Sequence, residues 1–448
     1  MGKGTTLVHC DRTDIGRRRL KNQDSRAVLP PSSPQQYRTR GWLFLVADGM
    51  GAHAAGEMAS AIAAERVPLL YEKDTQRSPP LKLRHSIEHV NTEINAQGES
   101  ASECKGMGTT CTVLAILPRG ALVGHVGDSR VYRIRGRTVE QLSRDHSLVW
   151  ELETAGGMTR EQAAGAAPKN IITRSMGPHP RVDVDIEGPF PIEENDVFVL
   201  CSDGLSGQVA DEEIGLFATE LDPRDSAAAL LGLSLVRGAP DNVTVIVARA
   251  GAEEVSKTLP GDEQWPINDG EIIRPKEHSI PWKMLVACGV SFFLSLVFFS
   301  NWRTSVGLMT PILMIATACA GFLAFATLMA VFLKFLSTPS PRVRVLPVGK
   351  LLGKGPYRSY NCSPTEPLLE GIVTSLEGAV DTLGEADRER TVEIVTRMRQ
   401  HVADGRFHEA VVAATEGLAL YTHWLEAKRR SEADVTHGKE NPSLHRPA

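Results

Sequence analysis

Hydrophobic and polar positions change rhythm several times along the 448 residues. From residue 5 to 250, apolar runs of strand length alternate with helical stretches. Trp42 to Ala47, Thr112 to Leu117, Ala121 to Val126, Val131 to Arg135, Val197 to Cys201 and Val243 to Ala248 are predicted strands. Pro118-Arg119-Gly120 and Arg135-Gly136 are turn signals around the middle strands and predict an antiparallel meander there. An alanine-rich helix is predicted from Gly56 to about Tyr71, and another around Leu81 to Gln97.

Residues 251–282 lose this periodicity and are rich in Pro, Gly, Asp and Glu, as a linker would be. The pattern then turns apolar on every side. Between Lys283 and Lys334 the only charged residue is Arg303. Residues 283–335 therefore predict two transmembrane helices, about 284–302 and 309–333, each near the ~20 residues a crossing needs. Buried core helices are the alternative, which two adjacent stretches apolar all round make the poorer reading. The short connection Asn301 to Ser305 makes a hairpin with both ends on one side. Arg274, Lys276, Lys283, Lys334, Arg342, Arg344, Lys350 and Lys354 flank it, so the positive-inside tendency places both soluble parts in the cytoplasm. Residues 336–365, basic and rich in Pro and Gly, read as a second linker in reach of anionic lipid. Helical spacing returns at Leu368, Leu369, Ile372, Val373 and Leu376, and predicts a small all-α domain over 366–430 with a disordered tail, 431–448.

Composition removes some partners. Lys and Arg number 49 against 54 Asp and Glu, a net charge of −5 with no long basic run, which argues against nucleic acid. Seven scattered cysteines form no Cys-x-x-Cys pair, which argues against a zinc cluster or disulfide framework and for a reducing compartment. The N-terminal stretch lacks the apolar core of a secretory signal, and Met1-Gly2 with Thr6 matches a myristoylation pattern only loosely.

Four aspartates stand at strand ends. Asp48 and Asp203 follow apolar strands and precede glycines, Asp128 follows Val123 to Gly127, and Asp241 precedes the strand Val243 to Ala248. Carboxylates delivered this way from distant points suit an all-oxygen site for a hard divalent cation. An Asp-Gly after a strand is also an ordinary turn, so spacing alone leaves both readings open.

The longer motifs decide between them. Thr13-Asp14-Ile15-Gly16 through Asp24-Ser25, Val46-Ala47-Asp48-Gly49-Met50-Gly51, Met107-Gly108-Thr109-Thr110, and Gly124-His125-Val126-Gly127-Asp128-Ser129-Arg130 occur in that order. Asn170 to Gly177, Cys201-Ser202-Asp203-Gly204-Leu205 and Asp241-Asn242-Val243-Thr244 follow. Together they resemble the bacterial branch of the type 2C, metal-dependent serine/threonine protein phosphatases, over residues 5–250. The resemblance implies an α+β fold for that domain: an α-β-β-α sandwich of two antiparallel sheets flanked by helices. It implies two divalent cations, Mn2+ or Mg2+, with a possible weak third. By position, Asp48 would bridge the two, the Gly49 carbonyl would ligate the second, and Asp203 and Asp241 would complete the first. Asp128 matches the third position, and Asp24 would act through a water. Arg19 matches the arginine that clamps the substrate phosphate, a task suited to its planar fork.

Three positions depart from the family pattern. Gln23 stands where many relatives have a glutamate near the second cation, Gly207 where many have an aspartate serving the third, and Met50 where some have a histidine acting as general acid. His53, the nearest histidine, is a candidate general acid alongside water, with helix capping or substrate contact as its alternatives. Cys201 is expected to pack in a strand, and His125 and His146 to serve packing or loop structure. Ser147 to Lys169 matches the family's variable flap beside the active site. The expected activity is hydrolysis of phosphoserine and phosphothreonine in proteins at a membrane's cytoplasmic face, with serine/threonine kinases or their targets as partners. A non-catalytic phosphoprotein reader would have lost the metal aspartates, which are present. A scaffold role for the C-terminal helices is compatible with catalysis.

Overall fold

The computed structural model describes residues 7–51, 55–168, 171–251, 265–267, 282–304, 306–307, 309–336, 345–347 and 349–439. The chain divides into two units. One comprises residues up to Trp265 together with Leu346 onward, and the other Pro266–Val345.

In the first unit, β1 (Leu7–Asp14), β2 (Asp24–Leu29), α1 (Pro34–Thr39) and β3 (Trp42–Met50) lead into α2 (Ala55–Lys73) and α3 (Pro79–Ser100). Then come β4 (Gly108–Thr109), β5 (Cys111–Leu117), β6 (Gly120–Val126), β7 (Arg130–Arg135) and β8 (Thr138–Gln141). After α4 (Leu148–Gly156) and α5 (Arg160–Ala166) the chain forms β9 (Asp185–Phe190), β10 (Val197–Cys201), α6 (Asp203–Ser206), α7 (Asp211–Glu220), α8 (Pro223–Val236) and β11 (Val243–Ala250). Two-residue strands β12 (Trp265–Pro266) and β13 (Val345–Leu346) mark the unit boundaries, followed by β14 (Arg358–Asn361).

Two antiparallel sheets result, ordered β1-β11-β10-β7-β8-β14 and β2-β3-β5-β6-β9, with β4 beside β3. Alternation along each strand explains the layering. Val197, Val199 and Cys201 of β10 face one core with Val243, Val245 and Val247 of β11. Phe198 and Leu200 face the other, among Phe44, Val46, Leu114, Ile116 and Ile246 between the sheets. A strand buried on both faces reads as an unbroken apolar run, which is why Val197 to Cys201 was legible without a period of two. Helices α2 and α3 cover the second sheet, and α7 and α8 the first. Helix α8 shows its own start signal: the Asp222 carboxylate accepts from the backbone N–H of Arg224 and Asp225, with Pro223 in the first turn. The sandwich expected from the sequence is the one found.

The middle strands differ from the expected meander. β5 and β6 form a hairpin in one sheet, but β7 pairs with β8 and β10 in the other. The chain changes sheets at Gly127, whose φ of +117° is open to glycine, and a Cβ there would lie 2.5 Å from Thr110. That crossing sets Asp128 at the sheet ends.

The C-terminal region also departs from expectation. Arg358–Asn361, within the stretch read as linker, pairs with β8 from Gln141 to Thr138. Helices α11 (Glu366–Val380), α12 (Glu385–Ala403) and α13 (Phe407–Lys439) do not stand apart as a separate domain. Leu369, Ile372, Leu376, Met398, Leu418 and Tyr421 share one hydrophobic cluster with Phe217, Leu230 and Leu233 of α7 and α8. Each fully buried side chain of this size contributes about 1.5–3 kcal/mol, so the helices are held strongly. Helix α13 continues to Lys439, past the start of the expected tail, and Ser431 to His437 contains neither Pro nor Gly to stop it.

In the second unit, α9 (Trp282–Thr304) and α10 (Met309–Leu336) pack side by side. The Ser295 hydroxyl donates to the Thr317 carbonyl at 3.3 Å. Val286–Thr304 and Met309–Met329 have mean hydropathy 1.3 and 2.2, with 6% of each window buried, so both are long and apolar enough to cross a membrane.

Gly215 of α7 shows how tightly the C-terminal segment docks: a Cβ there would lie 2.5 Å from the Cβ of Cys362 and 3.0 Å from that of Val139. Gly215→Leu is expected to destabilise the first unit by about 1–3 kcal/mol through overpacking, read as a lowered denaturant midpoint.

Candidate active site

The site forms where strand ends from both sheets meet. Asp24 opens β2 and Asp48 lies near the end of β3, and the antiparallel register sets the two Cα atoms opposite each other. Asp203 begins α6 just after β10, Asp128 follows β6, and Asp241 precedes β11. The structure thus brings together Asp24, Asp48, Asp128, Asp203 and Asp241, whose charges act on one another. Arg19, Asp128, Asp203 and Asp241 line a cavity of about 450 Å³ with Arg130, Asp145, Ser147, Trp150 and Gly207.

The backbone fixes these positions. The Thr110 hydroxyl accepts from the Asp48 N–H at 2.8 Å, and the Thr110 N–H donates to the Asp48 carbonyl at 2.9 Å. Asn242 pins the loop after β1: its amide donates to the Ile15 and Lys21 carbonyls, and its Oδ1 accepts from the Gln23 N–H at 2.8 Å. Gly49 permits a close approach in the site, since a Cβ there would lie 2.1 Å from the Gly56 carbonyl oxygen and 2.6 Å from that of Gln23. Gly207 ends α6, with its N–H donating to the Asp203 carbonyl at 2.7 Å.

Charge dominates the chemistry. Burial, and then the neighbouring Asp24, Asp203 and Asp128, hold the Asp48 carboxyl well above the ordinary range. Burial also raises Asp203, with Asp241 adding to it, and raises Asp128, with Asp203 and Asp145 adding. Asp24 is pushed up to about 7 by burial, against the opposing hydrogen bonds of Thr244 and Ser202. The Ser202 hydroxyl donates to Asp24 Oδ2 at 2.8 Å. Arg19, with 47% of its side chain exposed, donates from Nη2 to Asp241 Oδ2 at 2.7 Å.

Beside this cluster lies a buried network the sequence reading did not single out. Arg130 Nη2 donates to Asp145 Oδ2 at 2.6 Å, Nη1 to Asp211 Oδ1 at 3.3 Å, and the Tyr132 hydroxyl to Asp211 Oδ1 at 2.6 Å. The signal for Arg130 and Asp145 was their place in or beside motifs already noted, whereas nothing around Asp211 marks it. His146 accepts from the Gly127 N–H at 3.0 Å and meets Asp185 at 3.0 Å. His125 meets the Thr112 hydroxyl at 2.9 Å, and burial lowers it to about 3. Cys201 is wholly buried, its thiol raised to about 12, a poor nucleophile at neutral pH. His53 and Asn170 lie outside the described residues.

The family model "Protein phosphatase 2C" matches residues 17–228. The protein phosphatase PhpP of Streptococcus pneumoniae is 35% identical over 247 residues, covering 54% of this chain and 97% of the relative. The serine/threonine phosphatase stp of Listeria welshimeri is 33% identical over 241 residues, 53% of this chain and 93% of the relative. The crystal structure of serine/threonine phosphatase Stp1 from Staphylococcus aureus superposes with a TM-score of 0.50 at 33% identity, over 56% of this chain and 98% of that one. The chain belongs to the protein phosphatase 2C family.

As a 2C-type phosphatase it is a metal-dependent protein serine/threonine phosphatase, with two Mn2+ or Mg2+ ions as its cofactors. The residues present fit those ions. Asp24 Oδ1, Asp128 Oδ1 and Asp203 Oδ1 are buried with no hydrogen-bond partner among the described residues, an arrangement costly for bare carboxylates and suited to hard cations. Among the described residues no three acidic, histidine or cysteine side chains close on one point as a finished cage, so the fit rests on these unpaired oxygens and the crowding of charge.

Removing the cation of the Arg130 network would strand two buried carboxylates. Arg130→Met is expected to cost this phosphatase about 3–5 kcal/mol in urea unfolding, well beyond the effect of a surface arginine.

Proposed function

We propose that the phosphatase hydrolyses phosphoserine and phosphothreonine in proteins at the Asp48–Asp203–Asp241 centre, held by α9 and α10 at the cytoplasmic face of a membrane. The convergence of buried carboxylates with unpaired oxygens carries the catalytic half of this reading. Asp48, the Gly49 carbonyl, Asp203 and Asp241 would hold the two cations, with Asp24 acting through Ser202 and a water. Asp128 is the candidate ligand for a third cation. When bound, the cations supply a more acidic water and offset charge on the phosphoryl oxygens.

The chain's own groups then have defined tasks. Arg19 exchanges part of its bond to Asp241 for a phosphoryl oxygen and holds the ester for in-line attack. The water oxygen bonds to phosphorus as the phosphorus–oxygen ester bond breaks, and one proton goes to the departing serine or threonine oxygen. His53 or a water delivers that proton. Gln23, whose carbonyl accepts from the Gly49 N–H at 3.1 Å, shapes the site without adding charge.

Membrane attachment is supported by the two apolar helices, whose Phe292, Phe293, Phe322 and Phe325 are all more than half exposed. Confinement there would raise the enzyme's effective concentration toward membrane-bound kinases or their targets.

Manganese is expected to stabilise the full chain by about 2.7 kcal/mol at a hundredfold excess over Kd, read as a thermal midpoint that rises with manganese concentration. It should also support phosphate release from a phosphothreonine peptide. Asp203→Ala should lose both responses, and retention of both would sink the assignment. The tether predicts that the full chain stays in the membrane pellet through alkaline carbonate and leaves it in detergent. Extraction by carbonate alone would overturn the membrane half.

A further inference from the structure

One wall of the catalytic cleft depends on a residue well beyond the phosphatase match. Arg358 of β14 lines the cavity that holds Asp128, Asp203 and Asp241, while the family match ends at residue 228. Its position is built, not incidental. Leu352 exchanges backbone hydrogen bonds with Gly188 of β9, at 2.6 and 3.1 Å. The buried Glu187 carboxylate then accepts from the N–H groups of Lys354 and Gly355 at 2.8 and 2.9 Å and from the Tyr357 hydroxyl at 2.6 Å. The Tyr357 N–H donates to the Gln141 carbonyl at 2.8 Å, and β14 continues the sheet from there. The segment therefore ties the open edges of both sheets together before presenting Arg358.

From that anchor Arg358 reaches α4. Its guanidinium carbon lies 3.9 Å from the centre of the Trp150 ring and its Nη2 is paired with Glu153, leaving only 12% of the side chain exposed. Tyr357 also meets the Trp150 ring, edge-on, with ring centroids 6.0 Å apart at 84°. Ser147, Val149 and Trp150 of the same helix and its cap form the wall facing the aspartates. An arginine held over an indole ring and paired at its end has few other positions available, so the helix it touches is fixed with it. The phosphoryl end of the cleft, around Arg19 and Asp241, has its own supports in Asn242 and Thr110.

We propose that Arg358 is a positioning residue for protein substrates: it holds Trp150 and α4 as the wall against which the polypeptide around a phosphorylated side chain rests. This rests on the phosphatase reading above. A small phosphate ester needs only the phosphoryl end, whereas a phosphoprotein needs the wall as well.

The test compares p-nitrophenyl phosphate with a phosphothreonine peptide, using the full chain in detergent with manganese. Arg358→Ala is expected to leave kcat and KM for the small ester within about twofold while raising KM for the peptide about tenfold. Arg358→Lys, which keeps the charge toward Glu153 but loses the guanidinium over Trp150, should fall between. Arg358→Ala and Glu153→Ala together should cost less than the sum of the two. Equal losses on both substrates, or none on either, would overturn the proposal and leave the phosphatase intact. Failure of the unaltered chain to hydrolyse either substrate would overturn the phosphatase reading and this proposal with it.

Discussion

The constraint on which this structure turns is the crowding of carboxylates at the floor of a cleft where little water surrounds them. Asp24 and Asp128 are buried and Asp48 and Asp203 half-buried, and each is raised above the ordinary acid range by desolvation and by neighbouring carboxylates. A cluster of this kind is tolerable only if the surrounding scaffold is rigid and counter-charge is near. Thr110, Ser202 and Asn242 supply the rigidity through hydrogen bonds to the backbone and side chains of the site loops. Arg19 supplies a half-exposed positive charge, and Arg130 a buried one.

Much of this was legible in the sequence because rigid strand ends have a recognisable form. Val46-Ala47-Asp48-Gly49 and Leu200-Cys201-Ser202-Asp203-Gly204 each place a carboxylate after an apolar run and before a glycine. The glycine at 49 is required by contact with Gly56 and Gln23, so the motif encodes a packing demand as well as a carboxylate. What was hard to read were elements whose partners lie far away. Leu7–Asp14 mixes apolar with charged residues because only part of it is buried. Arg358–Asn361 contains one aromatic among polar residues and looks like a linker, because its stability comes from β8, Glu187 and Trp150. Asp211 shows the same difficulty for a single side chain, since its place is set by Arg130 and Tyr132 some eighty positions earlier.

The C-terminal helices illustrate the difference between seeing an element and placing it. The spacing of Leu369, Ile372, Leu376 and Leu418 reveals helices, but not that their apolar faces complete the outer layer of the phosphatase. That layer reaches the site itself. Arg429 near the end of α13 donates to both oxygens of Asp14 and to the Gly16 carbonyl, in the loop that carries Arg19. Asp14 in turn accepts from the Gly16 N–H at 2.8 Å, so one arginine braces the turn from which the Arg19 loop departs.

Because the first unit is assembled from residues on both sides of α9 and α10, that hairpin is an insertion within one folded body. An enzyme carried on a simple stalk is shed by a single proteolytic cut. Here a cut between Gly251 and Trp265 would leave the catalytic part joined to the rest by the β8–β14 pairing and the shared core of α8 and α13. A cut between Leu336 and Val345 would leave it joined through the chain leading to α9. Parting the catalytic half from the hairpin would take both cuts, so the fold itself keeps the two together after a single nick.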